Sequence, residues 1–141
     1  MEFRGIAKVV VRRNTDGKYL ILKGGIWQER PDRSHKPDLP GGMVEIGESF
    51  EEGAVREANE EAGLNLDPKT LQLVYAESFE GEGEAVNRLI YFTELDTDVE
   101  IVLSWEHEDY SWMTADEVLA LEIRDPYPKI FNYLKQIKVL V

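Results

Sequence analysis

Leu39-Pro40-Gly41-Gly42-Met43-Val44-Glu45-Ile46-Gly47-Glu48-Ser49-Phe50, continuing as Glu51-Glu52-Gly53-Ala54-Val55-Arg56-Glu57-Ala58-Asn59-Glu60-Glu61-Ala62-Gly63-Leu64, is the segment from which the rest of the chain can be read. It opens on a rigid proline turn followed by two permissive glycines. Ser49 and Glu52 have capping-box spacing, so a helix is expected to start near Phe50. Gly63 is expected to stop it, because glycine accepts the left-handed conformation that follows many helix ends. Phe50, Ala54, Ala58 and Ala62, joined by Val55, form one apolar stripe that faces a core. Gly53, about one turn before Glu57, sits inside the helix at a cost of roughly 1 kcal/mol against alanine, which predicts close approach of another backbone to the glutamate-bearing face.

The polar side of this helix works against its own stability. Glu57, Glu60 and Glu61 stand at i, i+3 and i+4, where like charges repel by a few tenths of a kcal/mol per pair. Two of them occupy the last turn, where the helix dipole disfavours anions by ~0.3–1 kcal/mol each. Glu48 lies close before the helix, and Arg56 is the sole cation between Glu45 and Glu61. A bound dication would reverse both penalties, and carboxylate oxygens suit Mg2+ or Mn2+. A solvated acidic helix face is the simpler alternative, and these glutamates alone do not separate the two.

Working outward, residues 6–12 and 19–22 read as strands around a turn at Asp16-Gly17. Residues 24–38 have no period and read as a long loop carrying Trp27, Arg30, Arg33 and His35. Residues 71–79 and 86–95 read as a strand pair around Gly81-Glu82-Gly83-Glu84. Residues 101–103 are a short apolar run, and 110–113 a last strand. Thr114 and Glu117 form a second capping box for a helix through Leu121. Asp125-Pro126 should start another helix, with proline at its first position. Ile130, Phe131, Leu134, Ile137 and Val141 recur at helical spacing as a core stripe. The expectation is an α/β architecture with a mixed sheet, and one domain over residues 1–141.

Composition narrows the function. With 28 acidic against 16 basic residues the formal net charge is −12, a field that repels DNA or RNA polymers. A small polyanion can still bind if divalent cations lie between it and the protein. There is no cysteine, which removes disulfides and thiolate metal sites. No run has the length of a membrane span or the pattern of a signal peptide. The expected location is the cytoplasm.

Gly42, five residues, Glu48, seven residues, then Arg56-Glu57 and Glu60-Glu61, closed by Gly63, resembles the Nudix box of the Nudix hydrolase family. Chance agreement at that many fixed positions is on the order of one in a million, raised about tenfold by the richness in glutamate. Leu39-Pro40-Gly41-Gly42 is similar to the family's usual lead-in. Many members carry tryptophan two residues before that leucine, where this chain has Pro37. The resemblance implies an α/β/α sandwich with a mixed sheet and a box at residues 42–64. It implies metal-dependent hydrolysis of a phosphoanhydride bond in a nucleoside diphosphate linked to a second group. A nucleoside triphosphate or damaged nucleotide, as in MutT-like members, is the first expectation. Dinucleoside polyphosphates, ADP-ribose and nucleotide sugars are the alternatives, and a nucleotide-sensing domain without turnover is the rival from another class.

Carried over by position, Glu57, Glu60, Glu61 and the Gly42 backbone would hold Mg2+, or Mn2+ in its place. Glu48 supports the site, and Arg56 orients a carboxylate. The general base stays open between Glu106, Glu60 or Glu61, and His107. Glu106 lies six residues before Trp112, a spacing similar to MutT-like members. Arg12, Lys23, Arg30, Arg33 and Arg88 are candidates to bind phosphate, since guanidinium groups match it in bidentate geometry. Trp27, Tyr75, Phe79 and Trp105 are candidates to stack on a base. The expected partner is a small nucleotide, with no nucleic-acid polymer and no membrane, and the resemblance allows a homodimer.

Overall fold

The structure, a computed structural model, describes residues 2–26, 31 and 34–141. Its elements in chain order are β1 (Glu2–Arg13), β2 (Lys18–Gly24), β3 (Pro37–Asp38), β4 (Gly41–Met43), α1 (Phe50–Ala62), β5 (Gln72–Gly81), β6 (Glu84–Leu95), β7 (His107–Met113), α2 (Ala115–Leu119) and α3 (Tyr127–Gln136). A 3-10 turn, Pro68–Thr70, leads into β5.

The sheet runs β3-β2-β1-β6-β5, with β7 on the other edge of β2 and β4 on β1. It is mixed: β1 and β6 are parallel along their whole length, and the other pairs are antiparallel. β1 and β2 pair only beside their turn, through Arg12 with Tyr19 and Arg13 with Lys18. Beyond that point they diverge. Residues 37–43 fill the wedge, Pro37 and Asp38 pairing with β2 and Gly41–Met43 pairing with β1. The Val9 N–H closes the apex on the Pro40 carbonyl at 2.8 Å. The proline turn is thus built into the sheet, with the box helix following directly from it.

Alternation along β1 sends its side chains to two cores. Ala7, Val9 and Val11 pack with Leu20, Leu22 and the alanine stripe of α1. Val10 packs on the opposite face with Tyr19, Ile21, Ile90 and the apolar side of α2 and α3. The result is the expected α/β/α sandwich. The small residues of α1 let it lie close to the chain before it: a Cβ on Gly53 would sit 3.0 Å from Val44 Cγ2 and 3.3 Å from Val44 Cα. The capping box of Ser49 and Glu52 forms, and Gly63 ends the helix at φ 70°.

Several expectations change. Pro37 and Asp38, read as loop, form β3, because β2 needs a partner where β1 leaves it. Residues 101–103, the short apolar run, form no regular element. Their backbone instead serves the end of α1: the Val102 and Ser104 N–H groups donate to the carbonyls of Ala62 and Glu61 at 2.9 and 3.1 Å, satisfying acceptors that a helix end leaves open. α2 stops at Leu119. Pro126 caps α3, whose first residue is Tyr127. α3 ends at Gln136, and Lys138 takes φ 64°, which turns the chain. Leu140 therefore enters the core, while Ile137 and Val141 are 42% and 65% exposed. No helix among the described residues is long and apolar enough to cross a membrane.

Candidate active site

Two faces of α1 meet different surroundings where its glutamates lie. Glu60 points outward, its side chain 58% exposed. Glu61, one residue on, is turned into the protein and only 5% exposed. Its Oε1 accepts the Gly41 N–H at 2.8 Å, and its Oε2 lies 3.3 Å from His107 Nε2 at the start of β7. Burial drives the Glu61 carboxyl up to about 8, outweighing the Lys8 charge and the Gly41 hydrogen bond that hold it down. Burial also raises Glu57, against the pull of Arg56, with Glu60 and Glu106 adding to the rise. His107 is shifted down by burial, which disfavours its charged form. Its Nδ1 is buried without a hydrogen-bond partner.

Arg56 organises the remaining carboxylates. Its Nε and Nη2 donate to both oxygens of Glu48, at 2.8 and 3.1 Å. Its Nη1 donates to Glu57 Oε1 at 3.1 Å and Glu60 Oε2 at 3.2 Å, and Nη2 also donates to the Met43 carbonyl at 3.0 Å. Those bonds raise the Arg56 pKa, the Glu48 bond most, and lower that of Glu48. One guanidinium thus joins the turn, the helix start and two of the three helix glutamates.

The residues fit a hard dication by donor type. Glu57, Glu60 and Glu61 supply oxygen atoms alone, and Gly42 brings the backbone against them: a Cβ there would sit 2.9 Å from the Glu57 carboxyl carbon. Among the described residues, no three acidic or histidine side chains already converge on one ion position. Arg56 holds one oxygen each of Glu57 and Glu60 toward itself.

The other candidates scatter. Glu106 follows Ser104, whose N–H bonds Glu61, and is near enough to raise Glu57. Its carbonyl accepts the Gly25 N–H at 2.9 Å, tying its loop to β2. Trp105, beside it, is 89% exposed. Lys23 is exposed and 3.6 Å from Glu108. Arg12 lies at the far end of β1 from Gly42's partner Ala7, 3.7 Å from Glu94. Arg88 is buried on the α3 face, donating to Glu77 at 2.6 Å and stacked on Phe79 and Tyr127. Tyr75 packs edge-on against Tyr133. Trp27, Arg30 and Arg33 lie outside the described residues.

Three residues that the sequence reading did not select also adjoin the turn. Lys8, Asp38 and Arg124 form a linked group, with Lys8 Nζ 3.1 Å and Arg124 Nη2 3.4 Å from Asp38 Oδ2. The available signal was a lone lysine between Ala7 and Val9 in an apolar strand.

Comparison with known proteins places this arrangement. The NUDIX domain matches residues 3–134. The chain belongs to the Nudix hydrolase family. A bis(5'-nucleosyl)-tetraphosphatase [asymmetrical] from Rattus norvegicus is 33% identical over 135 residues, spanning 86% of this chain and 85% of that protein. A MutT-like protein from Streptomyces ambofaciens is 33% identical over 116 residues, spanning 80% of this chain and 64% of that one. Among solved structures, a MutT protein from Methanosarcina mazei superposes with a TM-score of 0.80 at 24% identity, covering 97% of this chain and 96% of that one. A C. elegans Ap4A hydrolase in a binary complex gives 0.75 at 19% identity, covering 96% and 97%. These two show the shared Nudix fold.

Proposed function

We propose that this Nudix protein hydrolyses a phosphoanhydride bond in a nucleotide with the help of a divalent cation. The observation that carries the reading is the burial of Glu61 beside Glu57 and the Gly41-Gly42 turn, only partly offset by the Gly41 hydrogen bond and the Lys8 charge, inside a box that retains all its acidic positions. A carboxylate held there without a cation is costly. Glu57, Glu60 and Glu61 would hold Mg2+ or Mn2+, with the Gly42 backbone closing the site. The cation supplies charge neutralisation on the phosphate oxygens and lowers the pKa of a bound water. Arg56 keeps Glu48 and Glu57 oriented. Glu106 takes the proton as water oxygen bonds to phosphorus and the bridging oxygen leaves with the second phosphorylated fragment.

Within that class the relatives support an order of substrates to test. Three proteins named bis(5'-nucleosyl)-tetraphosphatase are 30–33% identical over 135 residues, so a dinucleoside tetraphosphate heads the list. A nucleoside triphosphate or damaged nucleotide follows, on the MutT-like relative. The test is phosphate, pyrophosphate and nucleotide release from a panel of these compounds, with Mg2+ or EDTA, beside Glu60→Gln and Glu61→Gln. Mg2+-dependent turnover of one class, lost in both variants, supports the reading. A folded parent that binds Mg2+ yet turns over none of the panel overturns it in favour of a nucleotide-sensing domain.

A further inference from the structure

Lys8 sits in a strand whose neighbours are Ile6, Ala7, Val9, Val10 and Val11, and it is 7% exposed. An ammonium group in that position is expensive unless every proton finds an acceptor. Lys8 finds three: Asp38 Oδ2 at 3.1 Å, the Leu39 carbonyl at 3.3 Å and the Gly41 carbonyl at 2.9 Å. Two of the three belong to the backbone of the proline turn. Asp38 reinforces the same turn, since its Oδ1 accepts the Leu39 N–H at 2.8 Å. Gly41 is then held from two sides, its carbonyl by Lys8 and its N–H by Glu61 Oε1 at 2.8 Å. Stability alone does not account for this lysine, because buried ion pairs are commonly replaced by apolar residues without loss. What an apolar residue cannot do is grip two carbonyls of the turn, Leu39 and Gly41, from inside the strand.

We infer that Lys8 is a positioning residue for the reaction site, fixing the turn at residues 39–41 and, through Gly41, the carboxylate of Glu61. The inference rests on the reading above, in which the box glutamates hold a divalent cation.

The test uses Lys8→Met and the charge-balanced double variant Lys8→Met with Asp38→Asn. Three quantities are read: the thermal midpoint, Mn2+ affinity from the free-Mn2+ EPR signal, and kcat and KM on the substrate the parent accepts. Lys8→Met lowers the midpoint, weakens Mn2+ binding and lowers kcat, the last two by about 10-fold or more, with KM for nucleotide within about threefold of the parent. The double variant recovers part of the midpoint, because Asp38 no longer carries a charge balanced only by the half-exposed Arg124, but neither kcat nor Mn2+ affinity. Recovery of all three in the double variant overturns the inference, as does Lys8→Met keeping Mn2+ affinity and kcat within about twofold. A parent that binds Mn2+ without turning over nucleotide sinks the enzyme reading and leaves Mn2+ affinity to decide Lys8. A parent that binds no Mn2+ overturns both.

Discussion

The carboxylate of Glu61 and the imidazole of His107 meet at 3.3 Å, Oε2 to Nε2, with both side chains shielded from water. The contact places an acid from the end of the box helix against the first residue of β7. The loop between them is fastened by the Ser104 N–H on the Glu61 carbonyl. An acid in so dry a place holds its proton.

A pH dependence of stability follows for the metal-free protein. Burial pushes the Glu61 carboxyl up to about 8 in the folded state, against 4.5 for a glutamate in water. The folded state therefore binds the proton more tightly. Its advantage is complete below the unfolded value, shrinks as pH rises through that window, and is gone above the folded value. The loss is on the order of 5 kcal/mol. Urea unfolding in EDTA from pH 5.5 to 8.5 should show stability falling with pH, and Glu61→Gln should flatten the slope. Mg2+ must displace the same proton, so its apparent affinity should rise with pH and level off near the folded value.

The two glycines of the turn should separate fold from site. Gly41 takes φ 126°, and a Cβ there would lie 2.1 Å from the Ala7 carbonyl oxygen. That neighbour is backbone in the centre of the sheet, so Gly41→Ala should cost about 4 kcal/mol or more and abolish cooperative unfolding. A Cβ on Gly42 would instead meet the Glu57 carboxylate at 2.9 Å, the free end of a side chain that can swing away. Gly42→Ala should keep its melting temperature within about 3 °C and lose Mg2+ affinity and turnover about 10-fold or more. Differential scanning calorimetry beside metal titration checks both.

Arg56 should be worth more without metal than with it. Its removal leaves Glu45, Glu48, Glu57 and Glu60 facing one another, since the guanidinium lies within 3.8 Å of all four. Arg56→Met should destabilise the EDTA-treated protein by roughly 3 kcal/mol, and saturating Mg2+ should restore part of that. An equal loss with and without Mg2+ would show that the carboxylates do not share a cation.

Much of this was readable in the chain, and the limits have physical causes. The box helix announces itself through Ser49, Glu52 and Gly63 because caps are local chemistry. Spacing also brings Glu57, Glu60 and Glu61 to one side, but spacing alone does not say that Glu61 is sunk and Glu60 solvated. That depends on β7 and the turn closing over one edge of the helix. The role of Val102 and Ser104 as donors to the last carbonyls of α1 is carried by backbone N–H groups, which leave no trace in residue type. Ile137 and Val141 escape the core because Lys138 reverses the chain, a left-handed turn at a residue that does not advertise one. Lys8 was visible as a charge in an apolar strand, but its acceptors lie about thirty residues away.

Trp105 offers a test of how the nucleoside end is held. It stands 89% exposed in the turn between Ser104, whose N–H bonds the Glu61 carbonyl, and Glu106, so it adds little to the core. Trp105→Ala should leave stability within about 0.5 kcal/mol. If the ring stacks on a base, that variant should raise KM for nucleotide about 5- to 10-fold with kcat retained, and Trp105→Phe should stay near the parent. Steady-state kinetics on the preferred substrate decide it. An unchanged KM in Trp105→Ala would assign base recognition to another surface, with Phe79 at the edge of the α3 face as the next residue to replace.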